Sequence, residues 1–304
     1  MPVAELLVTT LGPPVVTWLL DNFRKGAVSG KKTSTLLVDQ IHRINERFED
    51  QVKVFGELTS EPTVVIEGEL ELTPAQRDRR LTIIDELSAQ GRTNDPHAIL
   101  SSRPLLDADP VVLSVRTTDF GGVLALREEG ERPEILSSSA VLVCKESGQL
   151  VLHRRSEAVH TYPGYIHTLG GAYMPPVGAA DPDRLGLSST VEREIHEESQ
   201  LVVSAALSHS LMLSKELDTG FIQLVFLGLE LPATMLDRLS GNWEGSVVRV
   251  PFADLPSLLL RDDWVPSGKA HVLAWLAAGA PGAGKKPMFG SLTASQLLAA
   301  HLGS

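Results

Sequence analysis

The chain has 304 residues, of which 43% are hydrophobic and 21% are charged. This balance is typical of a folded globular protein and excludes general disorder, and the length allows one large domain or two ordinary ones. The formal net charge of −11 disfavours a nucleic-acid partner, because an acidic surface repels phosphates. Cys144 is the single cysteine. An intramolecular disulfide is therefore excluded, and a cytoplasmic location is expected.

Residues 1–94 are predicted to form a small, mostly helical N-terminal region. The region begins with MPVAELLVTTLGPPVVTWLL. Its apolar stretch from Leu6 to Leu20 has 15 residues, fewer than the ~20 that span a bilayer, and is interrupted by Gly12-Pro13-Pro14. A packing or oligomerisation element, a docking segment for a protein partner and a peripheral membrane contact all remain open for this stretch.

Further along the N-terminal region, apolar residues at spacings of three and four predict a helix over 33–49. The β-rich segment 63–72 is predicted as a strand. Thr73 and Pro74 are a typical cap and first residue of a helix, and Gly91 a typical stop, so a second helix is predicted over 73–91.

The segment GRTNDPHA (91–98) has the Gly, Asn, Asp and Pro content of a linker. We therefore predict a domain boundary near residue 94, between the N-terminal region (1–94) and a main domain (95–285). A terminal tail helix is predicted over 286–304. Helices are predicted in the main domain at 188–199 and 268–278. Strands are predicted at 110–120, 122–129, 138–156 (a hairpin), 201–213 and 221–231. The fold class is therefore α/β (α+β), with helices on the faces of a mixed sheet.

The segment REIHEES (193–199) carries glutamates at i, i+3 and i+4, namely Glu194, Glu197 and Glu198. On a helix these carboxylates share one face, and like charges at that spacing weaken a helix. Either the face is solvated, or a cation binds there. Mg²⁺ prefers hard oxygen ligands such as carboxylates, usually together with waters and substrate phosphates.

This segment resembles the Nudix box, G-x5-E-x7-R-E-U-x-E-E-x-G-U, where U is a bulky aliphatic residue. The match consists of Arg193, the three glutamates, Ile195 and Leu201, with Gly171 in the position of the leading glycine. The preceding stretch LVLHRRSEAVHTYPGYIHTLGG is also similar to Nudix proteins. The resemblance covers about residues 110–280 and is strongest over 140–230, and it implies a Nudix-like fold.

Three departures from the family pattern stand out. Gly171 lies 22 positions before Arg193, where the pattern has 14, so about eight residues are inserted in the loop. Leu185 stands where the early glutamate is expected. Gln200 replaces the glycine that closes the helix, which costs of order 1 kcal/mol or forces a different exit of the chain.

The resemblance implies hydrolysis of a diphosphate bond in a nucleoside diphosphate derivative, with Mg²⁺ or Mn²⁺ as cofactor. In that family the three glutamates resemble metal ligands, and Arg193 has a structural role. The candidates for contact with a nucleotide-type substrate are Arg154, Arg155, Gly170 and Gly171. Glu216 is a candidate general base, and His160 and His167, which flank a Tyr-Pro-Gly turn, are weaker candidates for substrate contact.

Other functions remain open. A catalytically weak or inactive nucleotide sensor that acts through the N-terminal region fits the lost glutamate and the lost glycine. Isomerase chemistry on an isoprenoid diphosphate is disfavoured, because that branch requires a cysteine near the site and Cys144 lies on an earlier strand. A purely structural role is also disfavoured, and an enzyme is the leading interpretation because the acidic triplet is intact.

Overall fold

The computed structural model of the protein describes residues 35–106, 108–159, 161–176, 183 and 186–303. The apolar start of the chain, His160, Leu185 and most of the inserted loop therefore lie outside the described residues. No helix in the described part of the chain is both long and apolar enough to cross a membrane.

The chain folds as a mixed arrangement of strands and helices. The helices, apart from short 3-10 turns, are α1 (Thr35–Arg47), α2 (Pro74–Ala89), α3 (Phe120–Glu128), α4 (Leu187–Ser199), α5 (Leu255–Leu259), α6 (Pro266–Ala277) and α7 (Ala294–Leu302). The strands are β1 (Val52–Leu58), β2 (Thr63–Glu69), β3 (Pro96–Leu100), β4 (Val112–Asp119), β5 (Ile135–Cys144), β6 (Gln149–Arg155), β7 (Ile166–His167), β8 (Leu169–Ala172), β9 (Ser210–Glu216), β10 (Phe221–Glu230), β11 (Gly245–Pro251), β12 (Met288–Phe289) and β13 (Leu292–Thr293).

Eleven of the described strands form one sheet in the order β1-β9-β10-β5-β3-β4-β2, with β6 and β8 also paired to β5, and β7 and β11 paired to β6. β5 is buried along its whole length. The pairs β10–β5 and β2–β4 are parallel, and the remaining pairs are antiparallel. The predicted α/β class, a mixed sheet with helices on its faces, is confirmed.

Alternate residues of the central strands face two separate cores, as the period of two in a strand requires. On one face Val141 and Val143 pack with α1 and α6, where Trp275 is fully buried. On the other face Leu142 packs with Val191, Ile195 and their neighbours in α4. Helix α4 is therefore fixed to the sheet by its apolar side, and its acidic side is left for other contacts.

The N-terminal region is joined to the same sheet. β1 pairs with β9, so that Val52 lies opposite Glu216, and β2 pairs with β4. Both predicted helices of this region are present, and Thr73 caps α2 by accepting a hydrogen bond from the backbone N–H of Gln76. Residue 94 consequently does not separate two sheets, although a distinct role for residues 1–94 stays a prediction.

Two predicted strands are wrong. Residues 122–129 form most of α3 instead, because the Asp119 side chain caps the helix by accepting the N–H of Gly122 at 2.9 Å. The buried side of α3 consists of Val123, Ala125 and Leu126. In 201–213 only the final residues enter β9, after a 3-10 turn at Ala205–Leu207.

Candidate active site

A cavity of about 710 Å³ opens beside the acidic helix. It is bordered by the start of β5, the end of β6, β8, the turn between β9 and β10, and α3. Of the predicted site residues, Arg155, His167, Gly170, Gly171 and Glu216 line it. The remaining lining side chains used below are Arg92, Phe120, Arg127, Ser138, Gln223, Trp243 and Glu244.

Glu198 is the most enclosed of the three helix glutamates, with 4% of its surface exposed. Its Oε2 accepts the backbone N–H of Gly170 at 3.0 Å. Its Oε1 lies 3.3 Å from Nδ1 of His153, although the angle is not that of a hydrogen bond. Burial, and then the charge of Glu194, raises the pKa of Glu198 well above its usual range.

Glu194 packs directly against Gly171. A Cβ at position 171 would overlap the carboxylate of Glu194, so glycine at this position leaves room for the carboxylate where it now lies. Burial raises the pKa of Glu194 to about 7, while Arg193 opposes the rise. The glycine pair predicted to contact substrate therefore also determines where the carboxylates of Glu194 and Glu198 lie.

Arg193 is held by a carboxylate that the sequence analysis did not identify. Asp183, which is fully buried, accepts from Nε and Nη2 of Arg193 at 2.9 Å each. The same guanidinium donates to Glu194 at 2.8 Å and to Glu197 at 3.2 Å. Arg193 thus links α4 to Asp183 in the segment before the helix, and its structural role in the motif stays a prediction.

The three glutamates do not converge on one point. Glu194 and Glu197 are both turned to Arg193, and 52% of the Glu197 side chain is exposed. Within the described ranges, no group of three or more His, Cys, Asp or Glu side chains is close enough to hold a metal ion. Glu244 lies near enough to raise the pKa of both Glu194 and Glu198.

The donor chemistry of this acidic region nevertheless fits Mg²⁺ or Mn²⁺. All four groups are carboxylates, the hard oxygen ligands that these ions bind. The charges of Glu197 and Glu244 raise the pKa of Glu194, and the charges of Glu194 and Glu244 raise the pKa of Glu198. A divalent cation would relieve that repulsion. Changes in the rotamers of Glu194 and Glu197 would be needed to bring them to a common ion.

Glu216, the last residue of β9, also lines the cavity. Its Oε1 accepts from Ser267 at 2.8 Å and its Oε2 from Thr219 at 2.5 Å. The same Ser267 hydroxyl lies 3.2 Å from Nε2 of His167. Burial raises the pKa of Glu216, which moves this carboxylate toward the range of a proton acceptor at neutral pH.

The two arginines that end β6 differ in what they contact, because successive side chains of a strand point to opposite faces. Arg154 donates to Gly164 at 2.7 Å and pairs with Asp263 at 3.1 Å, away from the cavity lining. Arg155 lines the cavity and donates to the carbonyl of Thr161 at 2.8 Å. Of the pair, only Arg155 is placed to meet a ligand in this cavity.

Sequence reasoning missed Asp183, Glu244 and the α3 side of the cavity. Asp183 lies inside the inserted loop, where a fixed motif spacing does not point to it. Glu244 follows Trp243 in the loop before β11, far along the chain from α4. The sequence pair Trp243-Glu244 has no fixed spacing from the motif, so no signal in the sequence connects it with the site.

Comparison with known proteins gives similarities of structure alone. No protein-family model matches the sequence, and no curated protein matches it. A MutT protein from Methanosarcina mazei Go1 is 21% identical over 47% of this chain and 94% of its own, with a TM-score of 0.35. A bifunctional NMN adenylyltransferase/ADP ribose pyrophosphatase from Francisella tularensis is 12% identical over 51% of this chain and 46% of its own, with a TM-score of 0.39.

A third similar structure is the Nudix domain of NrtR from Shewanella oneidensis. It is 15% identical over 42% of this chain and 80% of its own, with a TM-score of 0.30. The similarities are partial and low in identity, so the chemistry proposed below is argued from the residues of this chain. The solved structures that the chain resembles are thus Nudix and MutT proteins, the group that the motif on α4 also resembles.

Proposed function

We propose that the protein is a Mg²⁺- or Mn²⁺-dependent hydrolase that cleaves a diphosphate bond in a nucleoside diphosphate derivative. One observation carries the proposal: a single cavity brings Gly170 and Gly171, with the buried carboxylates of α4 packed against them, together with Arg155 and Glu216. Metal-binding, phosphate-binding and proton-accepting groups are the set that such a hydrolysis uses.

Each residue has a role in this proposal. Glu194, Glu197 and Glu198 would hold the metal ion, which supplies polarisation of a phosphoryl oxygen and a water of lowered pKa. Arg155 orients the diphosphate through its guanidinium N–H groups, a geometry suited to phosphate oxygens. Glu216 accepts the proton of the attacking water, and the hydrogen bonds from Ser267 and Thr219 fix the orientation of its carboxylate.

The test is turnover of a substrate panel by the purified protein. ADP-ribose, NAD, dinucleoside polyphosphates, nucleotide sugars and NTPs are each incubated with Mg²⁺, Mn²⁺ or EDTA, and the products are identified by mass spectrometry. We expect metal-dependent cleavage of at least one diphosphate bond. A Glu197→Gln/Glu198→Gln double variant should lose it.

Glu192→Gln is the matched control on the same helix. Glu192 accepts the backbone N–H of Ala205 at 2.7 Å, and glutamine retains an oxygen for that bond. The control should keep wild-type turnover. Equal losses in the double variant and in the control would contradict a special role for Glu197 and Glu198.

A second candidate function is a nucleotide-binding sensor with weak or no catalysis, whose output passes through the N-terminal region. The observation that favours it is the engagement of both Glu194 and Glu197 by Arg193. Nucleotide binding without turnover under any metal condition would support the sensor. Both functions are proposed for the cytoplasm and without a nucleic-acid partner, on the grounds of charge and cysteine content.

A further inference from the structure

Three arginines line the cavity, and none of them is paired with a carboxylate within the described part of the chain. Arg92, Arg127 and Arg155 all border it. Elsewhere among the described residues, ion pairs with carboxylates are formed by Arg79, Arg80, Arg154, Arg193, Arg249 and Arg261. Several exposed arginines also lie outside the ion pairs of the described residues, but three that border one cavity, in a chain with 38 acidic and 27 basic residues, make this cavity a candidate site for anions.

The contacts of these arginines leave most of their donors free for a ligand. Nη2 of Arg127 donates to the carbonyl of Thr219 at 2.5 Å. The Cζ of Arg92 lies 5.7 Å from the ring centroid of Phe120. A guanidinium has five N–H donors. Burial lowers the pKa of Arg127 despite the charges of Asp218 and Glu216. The guanidinium has therefore lost part of its hydration without gaining a carboxylate in direct contact.

Two buried polar atoms in the cavity wall point to a ligand independently of the arginines. Oγ of Ser138 and Oε1 of Gln223 have no hydrogen-bond partner among the described residues. These residues are 1% and 6% exposed, and both line the cavity. Leaving such atoms unsatisfied costs about 1–3 kcal/mol each, and a polar ligand in the cavity would satisfy them.

The arginines occupy two different walls. Arg155 is near enough to Glu198 to influence its pKa, and so belongs to the end where the diphosphate is proposed to lie. Arg127 is on α3, and Arg92 follows α2 and stacks on Phe120, the first residue of α3. Phe120 in turn stacks on His97, with ring centroids 5.7 Å apart. With Arg155 assigned to the diphosphate, Arg92, Arg127 and the ring of Phe120 are left without a role in the proposed hydrolysis.

We propose that Arg92, Phe120 and Arg127 form a second subsite, which binds an anionic group on the part of the substrate that is linked to the nucleoside diphosphate. This inference rests on the proposed function for the position of the diphosphate. The second subsite selects substrates that carry a phosphate or carboxylate beyond the cleaved bond, and it disfavours those with a neutral group there. The segment around residue 94 thus contributes specificity to the site.

The test compares ligands that differ by one anionic group. Affinities for UDP-glucuronate and UDP-glucose, and for UDP-galacturonate and UDP-galactose, are measured by isothermal titration calorimetry with EDTA present, so that the metal site does not contribute. We expect the more anionic member of at least one pair to bind at least about 10-fold more tightly, which is the gain in affinity that one charge-assisted hydrogen bond gives. Arg92→Met and Arg127→Met should each reduce this preference, and Arg127→Lys should restore part of it.

Arg132→Met is the control, since Arg132 is exposed and does not line the cavity. The subsite is overturned if both members of each pair bind equally, if the preference survives in both methionine variants, or if all four ligands bind more weakly than about 1 mM. Turnover with Mg²⁺ is measured separately. If the variants show that binding preference depends on the arginines but no substrate is turned over, the second subsite is supported and the hydrolase is refuted. If substrate is turned over but no preference is found, the hydrolase is supported and the second subsite is refuted.

Discussion

Gly170 and Gly171 are adjacent, but they are glycines for different reasons. A Cβ at 171 would meet the end of the flexible Glu194 side chain, whereas a Cβ at 170 would meet the backbone of Ser138 and Ser139. Gly170 also has a φ of +145°, which an L-residue rarely adopts.

We therefore expect Gly171→Ala to leave the melting temperature nearly unchanged but to displace Glu194, and to reduce metal binding and turnover by about 10-fold or more. Gly170→Ala should instead lower the melting temperature. Thermal unfolding and Mn²⁺ titration followed by electron paramagnetic resonance measure the two effects. Unchanged Mn²⁺ affinity in Gly171→Ala would remove Glu194 from the metal site.

Loss of one partner from the pair of Asp183 and Arg193 should be among the most destabilising single changes at the site. Asp183 is fully buried, and 11% of the Arg193 side chain is exposed. Breaking a buried ion pair by changing one partner costs about 3–5 kcal/mol, because the other charge is left uncompensated.

Asp183→Asn should accordingly lower the free energy of unfolding by about 3 kcal/mol, as measured by urea denaturation. The control is Glu128→Gln, which breaks an exposed pair with Arg79 and should cost less than about 1 kcal/mol. Similar costs for the two variants would mean that Arg193 finds adequate partners in Glu194 and Glu197.

At the scale of elements, helix α4 ends in a conformation that its sequence disfavours. Gln200 has φ 60° and ψ 17°, the left-handed region, and its N–H donates to His196 at 2.8 Å. The departure from the family pattern predicted that glutamine in this position either costs of order 1 kcal/mol or forces a different exit of the chain. The structure keeps the usual exit of the chain, with glutamine in place of glycine.

Gln200→Gly should therefore raise the free energy of unfolding by about 1 kcal/mol, the cost of a left-handed L-residue. Gln90 caps the end of α2 at φ −89°, so Gln90→Gly should give no such gain. Chemical denaturation of both variants checks the difference. A gain of equal size at both positions would show that backbone strain is not its source.

Elements with strong local signals could be predicted from the sequence. The helix cap at Thr73 and the turn of the hairpin over 138–156 depend on neighbouring residues, and both are present. The strand predicted over 122–129 failed because an apolar run of that length fits a strand or a helix equally well. The cap at Asp119 and the burial of Val123 against Ile99 and Ile135 decide in favour of the helix.

At the scale of the whole molecule, the candidate site is assembled from distant parts of the chain. Arg92, Arg155 and Glu244 meet around one cavity, and no spacing in the sequence relates them. The motif on α4 could be predicted because its residues are neighbours on one helix. The side of the cavity that α3 forms could not be predicted, because its position depends on the order of the strands. β4 leads into α3, and β3 lies between β4 and β5.

The same long-range assembly buries a histidine that couples stability to pH. His271 of α6 contacts Ser214 of β9 at 2.9 Å and Thr168, between β7 and β8, at 3.3 Å. Burial lowers its pKa from 6.5 to about 3. As the pH falls below 6.5, the unfolded chain gains a proton at this residue and the folded protein does not, so the free energy of unfolding decreases until the pH approaches 3.

Between pH 7 and pH 5 this one residue should account for a loss of about 2 kcal/mol. His271→Gln keeps a polar group at the position but does not titrate. The variant should be less stable than the wild type at pH 7 and should lose about 2 kcal/mol less than the wild type between the two pH values. Urea denaturation at pH 7 and pH 5 gives both quantities. Parallel losses in the two proteins would mean that His271 binds its proton in the folded state, and that the contact between α6 and the sheet tolerates a charge.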